Sequence, residues 1–386
     1  MRGSYPTGSR AVHFVAISIL GPVTPRRVPV ADTALRVSRS SARNALALGI
    51  DLGTQSTKVL IYDPSARAVL QTAQSPHDII LRSDGTSEQD AGWWIRALSD
   101  CMDRLDSHLK QRVGAIGVSG QQHGLVALDG NGHVVHNVKL WNDTTTQQEC
   151  DDIMTAYGGK QRFAEQLGNP LLPGYTATKV LWLKRHAPTA YAAVEHILLP
   201  HDYLNYFLTG NYTAEARDAS GTGFFDVRVR RWSDQALHAI DAERNLLDTL
   251  PPLIAPDAPS GRLRPRAAAM LGLSPDTWVS AGGGDNMMAA LGTGCAAPGV
   301  FTVSLGTSGT LFGYANRPIV DNEQLVAAFC SSTGGWLPLV CTMNCTVATE
   351  LNRALFELPV SEVDALASSV PVGCDGLITL HLPVRF

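Results

Sequence analysis

"GIDLGTQSTKV", residues 49–59, sets an apolar strand before a Gly-Thr-Gln-Ser turn and a β-branched strand after it. With Leu46 and Leu48 upstream, the stretch predicts a β-hairpin. "VSLGTSGTLFG", residues 303–313, repeats the logic far down the chain. In both turns glycine and small hydroxyl residues let backbone N–H groups converge while Thr and Ser add O–H donors, so each can cradle a phosphate. The candidate phosphate-binding residues are Gly53, Thr54, Gln55 and Ser56 in the first turn and Gly306, Thr307, Ser308 and Gly309 in the second. A single Gly-Thr hairpin is more often only a hairpin. One copy opening each of two units, however, can close on one nucleotide from both sides. The Walker pattern GxxxxGK[ST], which uses a helix N-terminus instead, has no match.

Asp51 interrupts the apolar run "LGIDLG". Left unpaired in a core, that carboxylate would be costly. It is either a solvated edge residue or a group that holds magnesium through water beside the phosphates. A second carboxylate, Asp285, follows three glycines in "SAGGGDNMMAALGTG", residues 280–294. Bare backbone lets a ligand approach, so Asp285 is a candidate metal ligand, a candidate base, or a helix cap before Asn286.

Between these landmarks strands and helices alternate. "AGWWIRALSDCMDRL" has helical spacing, "VGAIGVSG" reads as a strand, and "HILLPHDYLNYFLTG" begins as a strand and becomes a helix ending at Gly210. This predicts an α/β fold with a mixed sheet. The proline-rich stretch at residues 250–268 reads as a connection, which places one domain over 46–276 and a second, strand-rich one over 277–386.

Residues 1–45 do not match the rest. They hold seven arginines and one acid, Asp32, a net charge of +6 that leaves −10 for the remainder of a chain whose total is −4. Ala11 to Leu20 is a short apolar run, but no cleavage-type sequence follows it and ten residues do not span a bilayer. A disordered leader or a spurious N-terminal extension is expected. A pI near 6.2 and 45% hydrophobic content point to a globular chain with no nucleic-acid or membrane-surface partner. Seven irregularly spaced cysteines without a CxxC argue for a reduced, cytoplasmic compartment rather than a zinc or disulfide framework.

With these residues in view, the chain resembles the FGGY carbohydrate kinases, nearest to the pentulose kinases among them. The segments that carry the resemblance are "GIDLGTQSTKV", "SEQDAGWW", "GVSGQQHGLVALD", "LWNDTTTQQEC", "GNPLLPGYTATKVLWLKRHAP", "LLPHDYLNYFLTG", "DASGTGFFDV", "GGGDN" and "SLGTSG", in the family's order. The resemblance implies two ribonuclease-H-like domains of the actin, hexokinase and Hsp70 type with a cleft between them. It further implies ATP and Mg2+ as cofactors and phosphorylation of a ketopentose, D-xylulose to D-xylulose 5-phosphate, with ribulose or another polyol as the alternative. Asp285 then matches the family's general base, and Gln122, His123 and Asn286 match its sugar contacts. A homodimer is compatible with it. Gln122 stands where the family has Met, and Ala91 where it has Pro. The chain also stops before the family's "GERTP" and adenine-binding "GGGA" segments, so an incomplete second domain and impaired turnover are expected. For Trp141 a sugar-facing wall and a core position both stay open, and Asp218 is expected to organise a loop near the cleft.

Overall fold

The computed structural model describes residues 45–377 apart from Thr307, Asn322 and Met343. The leader expected over 1–45 lies outside these residues, save Ala45.

The predicted hairpin forms from β1 (Leu46–Leu52) and β2 (Ser56–Asp63), and β3 (Ala68–Pro76) continues the antiparallel meander. Along β1 the period of two buries Leu46, Leu48, Ile50 and Leu52, which sends Asp51 to the opposite face. That alternation is why a carboxylate is tolerated inside an apolar run. Helix α1 (Ala91–Asp103) starts where the Asp90 carboxylate accepts from Gly92 N at 2.7 Å, and it buries Trp94, Leu98, Cys101 and Met102 on one stripe. Strand β4 (Val113–Gly120) then inserts parallel to β1, with Asp51 opposite Ser119. Further along, α2 (Thr176–His186) and α3 (Pro200–Thr209) follow, α3 with Pro200 in its first turn and Gly210 left-handed at φ 81°. A single-turn helix α4 (Ala216–Ala219) comes next.

The sheet does not end where the sequence suggested. Strand β5 (Pro259–Arg262) pairs with β6 (Trp278–Ser280), and β6 lies parallel to β4. Strand β7 (Gly283–Gly284) also pairs with β4, Gly283 opposite Ser119 and Gly284 opposite Gly120. The order is β5-β6-β4-β1-β2-β3, with β7 extending the β4 edge past β6. Val279 is fully buried in the same core as Leu48, Ile50, Ile116, Val118, Trp94 and Leu204. The boundary expected at residue 277 is therefore corrected: the first unit runs on through Gly284, because parallel pairing and apolar burial tie residues 278–284 to β4.

Helix α5 (Asp285–Gly292) leaves the end of β7 and buries Met287 and Ala290 against Phe312, Leu337 and Leu339 of a second sheet. That sheet is antiparallel, ordered β8 (Phe301–Leu305), β9 (Gly309–Gly313), β11 (Trp336–Thr342), β10 (Ala327–Cys330). Its β10 edge docks on the first unit, where Ala328 N donates to Asn169 Oδ1 and Cys330 N to Ser220 Oγ, both at 3.0 Å. Two further helices, α6 (Thr346–Leu355) and α7 (Val360–Ser369), bury none of their described side chains. Among the described residues no helix is long and apolar enough to cross a membrane, and all seven cysteines are free thiols.

Candidate active site

The carboxyl ends of β1, β4 and β7 meet, the usual place for a ligand in an open α/β sheet. Asp51 sits at the end of β1. Ser119 Oγ donates to its Oδ1 at 3.0 Å, and Lys58, its cross-strand partner, brings Nζ to 4.0 Å from Oδ2. Burial raises its proton affinity, against the pull of Lys58 and Ser119. About two-fifths of the side chain remains exposed, so one face is open to an outside partner.

Asp285 is the first residue of α5. Its Oδ1 accepts from Asn286 N at 2.7 Å and Asn286 Nδ2 at 3.0 Å, so the helix-start reading holds locally. The carboxylate does more than that. Burial, then the neighbouring charges of Asp51 and Asp218, push its pKa up to about 7 against the Asn286 donors. A carboxyl poised near neutrality can take a proton and return it.

The three glycines ahead of Asp285 have a packing reason. A Cβ on Gly284 would lie 2.8 Å from Gln122 Cγ and 2.9 Å from Asp218 Oδ1. Gly284 is thus bare because two polar side chains press on the backbone beside the candidate base.

Four of the expected residues come together. Asn286 Nδ2 donates to Gln122 Oε1 at 3.1 Å, and Gln122 Nε2 reaches Asp218 Oδ1 at 3.5 Å. From the second sheet, Thr310 Oγ donates to Asn286 Oδ1 at 3.3 Å. Asp51, Asp285, Gln122 and Asn286 therefore share one locus, with Thr310 carrying the strand after the second turn into it.

His123 faces a different set of neighbours. It takes φ 63°, stacks on Tyr175 with ring centres 4.5 Å apart, and places Nδ1 2.6 Å from the Gly221 carbonyl. That acceptor puts the proton on Nδ1 and leaves Nε2 an acceptor. Burial, reinforced by the charge of Lys179, lowers its pKa to about 3, so the ring is neutral. The fully buried Lys179 donates to the carbonyls of His123 and Gly174 at 2.6 and 2.7 Å, which holds this left-handed residue in place.

The two turns close in similar ways, Gly53 N donating to Ser56 O at 3.1 Å and Gly306 N to Ser308 O at 3.0 Å. Thr54 is braced from both sides, its carbonyl accepting from Gln89 Nε2 at 2.7 Å and its hydroxyl from Trp141 Nε1 at 3.0 Å. Trp141 is neither plain core nor a free wall; it buttresses the first turn. Gln55 is exposed and Gly309 is buried against Cys345, while Thr307 lies outside the described residues.

Among the described residues no three acidic, histidine or cysteine side chains converge as a metal cage. A magnesium held mainly by water and phosphate needs only one or two carboxylates, and the half-open Asp51 fits that requirement.

Of the layer behind this locus, sequence reading reached only Asp218 and missed His201, Asp202, Glu215 and Arg217. Asp218 is fully buried, with His201 Nδ1 2.6 Å from its Oδ2, while Asp202 Oδ1 lies 3.2 Å from His201 Nε2. Glu215 Oε1 accepts from Asp218 N at 2.9 Å, and its other oxygen pairs with Arg217. The signal was the dense charge in "LPHDY" and "AEARDAS", segments otherwise patterned for burial.

Residues 46–292 match the model of the FGGY family of carbohydrate kinases, N-terminal domain. The xylulose kinase of Haemophilus influenzae is 40% identical over 340 residues, covering 86% of this chain and 69% of that protein. That of Streptomyces coelicolor is 37% identical over 84% of this chain and 66% of its own length. The crystal structure of a xyloylose kinase from Brucella ovis superposes with a TM-score of 0.77 at 32% identity, covering 83% of this chain and 65% of that one. A glycerol kinase from Plasmodium falciparum shares the fold, with a TM-score of 0.74 at 18% identity over 84% of this chain and 66% of that one. The chain thus spans about two thirds of the length of the relatives it matches. Its two sheets form the two-unit fold of the sugar kinases, of the actin and hexokinase type. On the family match over residues 46–292 and the 40% identity to the Haemophilus influenzae protein, the chain belongs to the FGGY family of carbohydrate kinases.

Proposed function

We propose that this protein phosphorylates a ketopentose from ATP, with D-xylulose the first candidate and D-xylulose 5-phosphate and ADP the products. The observation that carries the reading is Asp285: a carboxylate held near neutral pKa at the junction of the two sheets, beside two carboxamides suited to a polyol. In the proposed step the sugar O–H bond breaks as its oxygen attacks the γ-phosphorus. Asp285 accepts the proton, and the bond to the ADP oxygen breaks. Gln122 and Asn286 orient the hydroxyls, and His123 offers its neutral Nε2. The turns at Gly53–Ser56 and Gly306–Gly309 are assigned to the phosphates. Asp51 is assigned to magnesium through water; when bound, the ion neutralises charge developing on the phosphates. The xylulose kinases at 37–40% identity support the substrate class.

The test is ADP release by the purified chain with D-xylulose, D-ribulose and glycerol compared at equal concentration. Turnover with D-xylulose above the other two supports the reading. Turnover with ribulose or glycerol alone reassigns the substrate, and ADP release with none of the three overturns the reading.

A further inference from the structure

His201 is a cation in an unfavourable place. It is the second residue of α3, where the helix dipole disfavours positive charge, and its side chain is 1% exposed. Its seat is nevertheless built for it. A Cβ on Gly120 would come within 2.8 Å of His201 Cβ and 3.0 Å of its backbone N, and one on Gly282 within 2.6 Å of the Val118 carbonyl and 3.3 Å of the His201 ring, so bare backbone in β4 and before β7 lets the start of α3 pack close. Two acidic side chains flank it: Asp218 Oδ2 is hydrogen-bonded to Nδ1 at 2.6 Å, while Asp202 Oδ1 lies 3.2 Å from Nε2 as a charge neighbour without a hydrogen bond. Burial opposes the charged ring, but Asp202 and Asp218 outweigh it and raise the ring's pKa to about 9, so His201 is an imidazolium at neutral pH.

That charge bears on the locus in front. An ionised carboxylate only accepts hydrogen bonds. While Asp218 is ionised, Gln122 must turn its NH2 inward to Asp218 and its oxygen outward. Asn286 must then give its NH2 to both Gln122 Oε1 and Asp285 Oδ1, keeping its own oxygen for Thr310. Every bond in this series has one polarity, set at the buried end. A proton on Asp218 Oδ1 would let the series run the other way and aim a carbonyl oxygen at Asp285; a cation against Oδ2 disfavours that proton.

We propose that His201 is a positioning residue: held as a cation between Asp218 and Asp202, it fixes which way round the Gln122 and Asn286 carboxamides stand beside Asp285. The proposal rests on the functional reading above only in that these carboxamides meet the sugar. A role confined to pinning α3 to the sheet needs no charge, and the variants below tell the two apart.

The experiment compares the wild-type chain with His201→Gln, which fills the seat without charge, and His201→Lys, which keeps the charge. Two readouts are taken: the side-chain amide 1H–15N signals of Gln122 and Asn286 in the absence of sugar, and the D-xylulose dissociation constant. His201→Gln should shift or broaden both amide signals and weaken D-xylulose binding about tenfold, the scale of one misdirected hydrogen-bond pair. His201→Lys should keep the signals and stay within about threefold of wild type. Two variants that behave alike, both intact or both impaired, overturn the proposal. The imidazole 15N shifts of the wild-type chain at pH 7 judge it without any variant, since a singly protonated His201 ring also overturns it. If the wild-type chain binds no D-xylulose, the functional reading fails, while the amide and imidazole signals still decide the role of His201.

Discussion

Asn286 Nδ2 stands 3.1 Å from Gln122 Oε1, joining the second residue after β4 to the second residue of α5 across 164 positions of sequence. This contact welds the two carboxamides into one surface and leaves the Asp285 carboxylate at its rim. Only the parallel pairing of β7 with β4 brings such distant residues so close.

Replacing that carboxylate separates chemistry from binding. Asp285→Asn should cut phosphoryl transfer to D-xylulose by about 10²–10⁴-fold, the usual range for a general base, while D-xylulose affinity stays within about threefold. In the unsubstituted protein kcat/KM should climb as pH rises through about 7 and then level, because the base works only when deprotonated. A flat profile from pH 5 to 9, or a variant that turns over normally, takes Asp285 out of the reaction.

The same residue should cost stability. Folding raises its pKa from the ordinary 3.8 to about 7, so between those values the folded state holds more protons than the unfolded. Its contribution is therefore best at low pH, declines as pH rises from about 4 to 7, and is a constant penalty above. Asp285→Asn, which cannot titrate, should be more stable than wild type at pH 8 by roughly 1–2 kcal/mol and equal to it below pH 4. Urea unfolding at the two pH values measures this; a variant less stable at pH 8 contradicts the assigned burial.

Asp51 predicts the opposite division of effects. Asp51→Asn should raise the KM for MgATP about tenfold or more and shift the magnesium dependence upward, with the sugar's dissociation constant unchanged. Should only the sugar term move, Asp51 belongs to the acceptor side of the locus.

Gly284→Ala probes the close approach directly. The new methyl would press on Gln122 and Asp218 at 2.8 and 2.9 Å, so one of them must shift. Crowding of this kind costs about 1–3 kcal/mol, and D-xylulose affinity should fall along with it. Calorimetric binding and thermal unfolding of the same preparation check both; unchanged binding would place Gln122 away from the sugar.

Local pattern made much of this legible. The hairpin at Asp51, the helix from Ala91, the strand at Val113 and the glycine stop at Gly210 all follow from periodicity and punctuation that need no partner to read. The boundary was misplaced for the complementary reason. Nothing in "TWVSAGGGDN" states which sheet it joins; that is decided by a pairing with β4 more than 150 residues earlier. His201 and Asp202 were passed over because a polar pair at a helix start resembles a solvated cap. Only the packing of α3's start against Gly120 and Gly282, and the burial of both side chains, reveals that the pair is enclosed. Trp141 stayed ambiguous because its indole N–H finds its acceptor on Thr54, in another segment.

Among the described residues the backbone passes from the seven-stranded sheet to the four-stranded one once, through α5. One end of that helix is anchored by β7, and Met287 and Ala290 wedge its body into the far sheet. If the second sheet swings, the helix acts as an axle and Asp285 stands at its bearing, the point that travels least. On the reading proposed above, a base at that fulcrum would keep its place beside the sugar hydroxyl while the second sheet moves.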